Sequence, residues 1–295
     1  MRRLLFFLTV FSLIIISCKN EKVKKLEFEK QETEFLENEK YYEQKIEEET
    51  QTKTFNWTKT KLLKERVLSE LKTNNQNDKI IINFLNDYGK IEEEFNDILF
   101  DLSSYDSLNT IAYSPNEIVY ENALRFKEKV EYNGFSIAQS EGMIYIAKNT
   151  NYIKSNIIEL LDSVSVDFIN LYCKEIDSVC CDDAAIIISD QELIERAFNW
   201  GNLIKKVSDL EYNDIVVSEF NSYLSLIFQG QDNTPSFDWE TGKFKQTLFD
   251  SMTDIIIKFP KSKAAKEFKE FTDLLVSENF ENSEKVKEFI TEKFK

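Results

Sequence analysis

The sequence predicts an all-α fold: antiparallel helical hairpins or a bundle, with one small β-hairpin. Three observations carry this. Apolar residues recur at spacings of three and four from Trp57 to the C-terminus, the period of a helix buried on one side. Two capping boxes, Ser114-Pro115-Asn116-Glu117 and Ser189-Asp190-Gln191-Glu192, mark helix starts. Only six Gly and three Pro occur in 295 residues, too few for the turns that a β-sandwich or barrel needs every 8–12 residues or so.

The elements follow in order. Leu63, Val67 and Leu71 share one face of a first helix. Ile81, Phe84, Tyr88, Ile91, Phe95, Ile98 and Leu102 form an a/d seam of alternating threes and fours. Through the turn at Thr73–Asp78 this helix would fold back on the first; a coiled-coil dimer is the alternative. The Ser114 box, with Pro at the first helical position, opens a helix of Val119, Ala123, Phe126 and Val130, which Asn133-Gly134 closes. Phe135–Gln139 and Met143–Ile146, joined by Ser140-Glu141-Gly142, read as the β-hairpin. One long helix is expected from about Thr150 to Val179 on Ile153, Ile157, Leu160, Val164, Phe168, Leu171 and Ile176. The Ser189 box starts a helix of Leu193, Ala197, Trp200, Ile204 and Val207, with Val216, Phe220, Tyr223 and Ile227 as its partner. After a loop from Gly230 to Gly242, Phe244, Leu248, Met252, Ile255 and Phe259 form a further helix. Pro260 ends it, and Ala264, Phe268, Phe271 and Leu275 follow, with Val286, Ile290 and Phe294 last.

Composition excludes several chemistries. The chain has no histidine, so neither Ser-His-Asp nor Cys-His catalysis is open to it, nor any imidazole metal ligand. Its 37 Lys plus Arg face 53 Asp plus Glu, a net charge of −16 that repels phosphate backbones. Nucleic acid is therefore not an expected partner. No metal and no cofactor are expected.

Met1-Arg2-Arg3, an apolar run of about 13 residues and Ser17 describe a secretory signal peptide, the run being shorter than the roughly 20 residues of a membrane-spanning helix. Ile15-Ile16-Ser17-Cys18 resembles the lipobox of bacterial lipoproteins. That resemblance implies cleavage after Ser17, a diacylglycerol thioether on Cys18 and a membrane anchor, with the cell envelope as location and the outer membrane favoured over the inner. Residues 19–54, with 11 Glu, 8 Lys and no sustained 3.6 period, read as a charged tether. Phe259-Pro260-Lys261-Ser262-Lys263-Ala264-Ala265 resembles the inter-helix corner of tetratricopeptide-like repeats, with Lys206-Val207-Ser208-Asp209 as a degraded earlier corner. The match spans about 25 residues and lacks that family's Trp and Gly positions. Lipobox, acidic helical body and the stretch from Asp182-Asp183 to Trp200 together are similar to uncharacterised helical lipoproteins of Bacteroidetes, a likeness that implies a location and no activity. The expected organisation is a signal peptide (1–17), a lipid-anchored tether (18–54), a helical-hairpin region with the β-hairpin (55–148) and a helical, TPR-like domain (149–295).

Candidate sites are few. Cys173 and Cys180 would lie about 10 Å apart in one helix, beyond disulfide reach, so Cys173 pairs with Cys180 or Cys181 only if the helix ends before residue 180. Asp182 and Asp183 most simply end a helix; paired with Glu141 or Asp238 they would supply the acid and base of a glycan hydrolase that needs no histidine. The loop Gln229–Gly242 places Asp232, Thr234, Ser236, Asp238 and Glu240 at alternate positions, as in a calcium loop. Phe237 stands where such a loop needs Gly, and Lys243 where it needs Glu. The same loop concentrates Asp232, Phe237, Asp238, Trp239 and Glu240, a mixture suited to recognising a protein or glycan. The function expected is a non-enzymatic, lipid-anchored envelope protein with a helical binding module; the alternative is the carboxylate-dependent glycan hydrolase.

Overall fold

The computed structural model describes residues 37, 40–51, 55–74, 76–112 and 119–295. The signal peptide, the lipobox and the Ser114 capping box lie outside the described residues. Those described form a mostly all-α protein with three two-stranded antiparallel sheets. None of their helices is long and apolar enough to cross a membrane. The chain divides into two compact units: Met1–Phe55 with Asp97–Lys129 and Gly142–Ile144, and Asn56–Asn96 with Val130–Glu141 and Tyr145–Lys295. Both units are discontinuous in sequence.

In the first unit, residues 40–51 form a helix, α1. Ile46 is fully buried, and two carboxylates bind main chain. Glu43 accepts from the N–H groups of Glu121 and Asn122 (2.8 Å for Asn122), at the start of the helix Glu121–Tyr132. Glu49 accepts from the Ser103 hydroxyl and from Ser104 N–H at 2.8 Å, just ahead of the helix Tyr105–Leu108. Burial pushes the Glu49 carboxyl up, but the hydrogen bonds from Ser103 and Ser104 outweigh it and hold the group below its usual range. An anion at exposed helical N–H groups is a favourable arrangement that needs no apolar period.

The second unit begins with α2 (Thr58–Thr73) and most of α3 (Asn77–Phe100), whose residues from Asp97 onward belong to the first. Ion pairs Lys59–Glu94 and Arg66–Asp87 (2.7 Å) run in opposite sequence order along the two helices, which are therefore antiparallel, as expected of the hairpin. The seam of α3 buries Ile81, Phe84, Tyr88, Ile91 and Phe95, but then Leu99 in place of Ile98. A straight helix drifts about 20° per heptad from a 3.5 repeat, so the buried stripe moves on by one residue. With α4 (Tyr105–Leu108) and α5 (Glu121–Tyr132) intervening, β1 (Phe135–Ser140) and β2 (Met143–Lys148) follow as the expected hairpin. Gly134 precedes it at φ +92°, where a Cβ would come within 2.8 Å of the Tyr152 ring. Side chains of α3 supply hydrogen bonds along β2. The Asn96 amide gives to Ile146 C=O (2.7 Å) and takes from Ile146 N–H (2.8 Å), and Glu92 accepts from Lys148 N–H (2.9 Å).

The expected long helix at 150–179 is two. α6 (Thr150–Ile157) runs into a 3-10 turn, Leu161 is extended, and α7 spans Ser163–Asp177. The cause is Asp162, whose carboxylate caps α7 by accepting from Val164 and Ser165 N–H at 3.0 and 2.9 Å. Next come α8 (Asp190–Ile204), α9 (Asn213–Gln229), α10 (Gln246–Lys258), α11 (Lys263–Ser277) and α12 (Glu284–Lys293). The expected cap at Ser189 is present, accepting from Glu192 N–H (3.1 Å), and the structure adds one at Ser262, which accepts from Ala265 N–H (3.0 Å). α8 is central, packing on α7, α9, α10 and α11. Two further pairs, β3 (Cys181–Asp182) with β4 (Ala185–Ile186) and β5 (Gly230–Gln231) with β6 (Thr234–Pro235), add tiny hairpins to the one expected; two-residue strands leave no alternating pattern to read.

A charged cluster joins α7, α8 and α9. Arg196 on α8 is 1 % exposed. It donates to Glu175 (2.9 Å), Glu192 (2.7 Å), Ser178 Oγ (3.0 Å) and Tyr223 OH (3.3 Å). Trp200 Nε1 gives to the other oxygen of Glu175 at 2.9 Å, and Tyr223 OH also donates to Glu175. The guanidinium holds the Glu192 carboxyl below its usual range. Losing hydrogen bonds of this charged kind costs about 1.5–3 kcal/mol, since Glu175 and Glu192 keep some solvent and Glu192 keeps Lys174 at 3.4 Å. Arg196→Met is expected to lose that much stability in urea denaturation near pH 7. A depressed carboxyl contributes stability above its ordinary pKa of 4.5 and loses it below, so the gap between wild type and variant should narrow as the pH falls under that value. An unchanged gap in acid would be contrary to this account.

Candidate functional site

The β3–β4 and β5–β6 hairpins meet. Asp183 and Ala184, at the β3–β4 tip, have φ of 44° and 54°, the left-handed pair of a type I′ turn built without glycine. Asn233 clamps them: its N–H gives to Ala184 C=O at 2.9 Å and its amide to Asp183 C=O at 2.7 Å. Ile186 N–H gives to Thr234 Oγ1 at 2.7 Å. On the β1–β2 hairpin, Ser140 Oγ donates to Asp182 at 3.3 Å. Glu141, Asp182, Asp183 and Asp232 are all exposed. The structure thus brings together, through their neighbours, tips that sequence alone left scattered; it does not enclose them.

Gly230 makes the second hairpin possible. At its φ of 78°, a Cβ would fall 2.4 Å from Ser236 N and 2.5 Å from Thr234 O. Ser236, buried, donates to Ile227 C=O at 2.8 Å and ties the loop to the end of α9. Phe237 and Trp239 then part company. Phe237 is 8 % exposed and packs edge-on against Phe244 (5.2 Å), which meets Phe271 of α11 in the same way (5.4 Å). It plugs the helix interface and is not available to a partner. Trp239 is 76 % exposed.

The segment that presents Trp239 is firmly built. Asp238 N–H gives to Lys243 C=O (2.8 Å) and Gly242 N–H to Asp238 C=O (2.9 Å). The Asp238 carboxylate accepts from Thr241 N–H and Thr241 Oγ1, both at 2.8 Å, and from Glu240 N–H at 3.1 Å. These bonds hold the carboxyl below its usual range, so Asp238 stays ionised and serves its own turn. Lys243 reaches Asn279 C=O (2.7 Å) and Glu281 (2.9 Å), and Phe244 N–H gives to Phe280 C=O (2.8 Å). Glu240 is exposed beside Trp239.

The three body cysteines are thiols. Cys173 is buried in α7, and burial pushes its thiol up to about 11. Cys180 and Cys181 follow the end of that helix, part-exposed, their Sγ atoms 3.3 Å apart. Among the described residues no group of three or more Cys, Asp or Glu is placed to hold a metal ion. Sequence reasoning missed Asn233 and placed Thr234 only among the oxygens of a calcium-like loop; together they lock the two hairpins, and the signal was a run of turn-forming residues in that same loop. No family model, curated protein or solved structure matches the chain.

The two aromatics can be separated by substitution. Phe237→Ala is expected to cost about 3–5 kcal/mol in chemical denaturation, as a core aromatic does. Trp239→Ala should stay within about 0.5 kcal/mol of wild type, the range of exposed positions. Equal losses would mean that Trp239 packs inward.

Proposed function

We propose that the chain is a non-enzymatic, lipid-anchored protein of the cell envelope whose second unit is a helical binding module. Trp239 is its contact residue for a protein or glycan. The observation that carries the binding role is the exposed Trp239 on a segment fastened to α9, α11 and the stretch 279–281. A rigid aromatic offers contact area at little entropic cost on binding. Envelope anchoring is supported by the lipobox-like Ile15-Ile16-Ser17-Cys18.

The hydrolase alternative gains nothing from the geometry. It requires two carboxylates about 5–9.5 Å apart across a cleft, one of them able to act as an acid. Asp238 is engaged by its own turn, and Glu141, Asp182 and Asp183 stand on exposed tips.

Two measurements test the proposal. Metabolic labelling with a clickable fatty acid should mark the wild-type chain and not Cys18→Ala; equal labelling removes the lipid anchor. A photo-cross-linking side chain placed at Trp239 should give a discrete adduct in cells that produce the chain at native level, whereas one at the equally exposed Ile257 should not. Matching patterns from both positions would end the assignment of Trp239.

A further inference from the structure

Neighbouring residues of a strand send their side chains to opposite faces. Cys180 and Cys181 do not: their sulfur atoms lie 3.3 Å apart, on one side of the chain. Cys180 is not a strand residue but sits at a bend. Cys180 stands just ahead of β3, where its C=O accepts from Ile187 N–H at 2.9 Å and closes the open end of the β3–β4 hairpin. The other end is fixed by the left-handed pair Asp183 and Ala184 and by Asn233. A short hairpin pinned at both ends thus holds two adjacent thiols together, both part-exposed, while Cys173 is wholly buried.

We propose that Cys180 and Cys181 form a vicinal dithiol that closes reversibly to a disulfide between adjacent residues, a modification site for low-molecular-weight disulfides. Closure brings the sulfurs from 3.3 Å to about 2.05 Å. The thiolate of Cys181 attacks one sulfur of glutathione disulfide, forming a mixed disulfide and expelling one glutathione thiolate. The sulfur of Cys180 then attacks Sγ of Cys181 and expels the second. The protein loses two electrons and two protons, and one glutathione disulfide becomes two glutathiones. Burial pushes the Cys180 thiol up, which disfavours it as the first attacking group and leaves that step to Cys181. This chemistry is independent of the binding role of Trp239.

The test uses the full chain, reduced, exposed to glutathione disulfide, alkylated and digested with trypsin. Cys180 and Cys181 fall together in peptide 175–196, and Cys173 falls in peptide 155–174. The expected product is peptide 175–196 unalkylated, two hydrogen masses lighter than its dithiol form and linked to no other peptide. Dithiothreitol should restore two alkylatable thiols. A doubly alkylated peptide, a link to peptide 155–174, or a lasting glutathione adduct on the wild-type chain would each overturn the proposal. Cys180→Ser should trap glutathione on Cys181; a variant that takes up none removes the assignment of Cys181 as the attacking group. The decisive readout is on the wild-type chain, so it does not depend on whether the variant folds.

Discussion

The second unit is organised around one positive charge. Arg196 brings a guanidinium into the packed junction of α7, α8 and α9, and the surrounding residue types follow from the need to satisfy it. Glu175 and Glu192 balance the charge, while Ser178, Tyr223 and Trp200 complete the hydrogen bonding. A buried ion pair adds little over a well-packed apolar core of the same volume, but it tolerates few arrangements. Here it fixes the rotation of α8, the helix on which α9, α10 and α11 pack. Ser178, just past the end of α7, is held by the same guanidinium.

The helical body was legible because its elements obey a period that one face must keep. α2, α3, α8, α9, α10 and α11 all bury residues named from spacing alone, and the Ser189 cap falls where turn chemistry puts it. What escaped detection was held by other means. The break at Asp162 was hidden because Leu160 and Val164 keep helical spacing across it, and one carboxylate decides the matter. The place of α1 depends on Glu43 and Glu49 binding main chain, an interaction with no hydrophobic signature in the sequence. The β3–β4 turn carries Asp183-Ala184 where a type I′ turn usually announces itself with glycine.

For the candidate site the limit is of another kind. Sequence could say that the loop after Gly230 is rich in turn formers and aromatics, but not which aromatic turns inward. That choice depends on Phe244, which stands two residues short of α10, and on Phe271 of α11; they offer one ring a place and leave the other outside. Asp238 is a similar case. A carboxylate near a tryptophan looks like chemistry, whereas its geometry is that of a residue folding its own turn.

The pairing of α3 side chains with β2 has a consequence for how copies of this chain tolerate each other. A two-stranded sheet has bare flanks, and a bare flank is a template on which a strand from another molecule can assemble. Asn96 imitates a strand residue, giving and taking one bond with Ile146, and Glu92 occupies the next N–H, that of Lys148. Two polar side chains of a helix thus stand in for a third strand. The flank of β2 is closed to edge-to-edge stacking at those positions, so crowding the molecules together does not by itself recruit them into a shared sheet there.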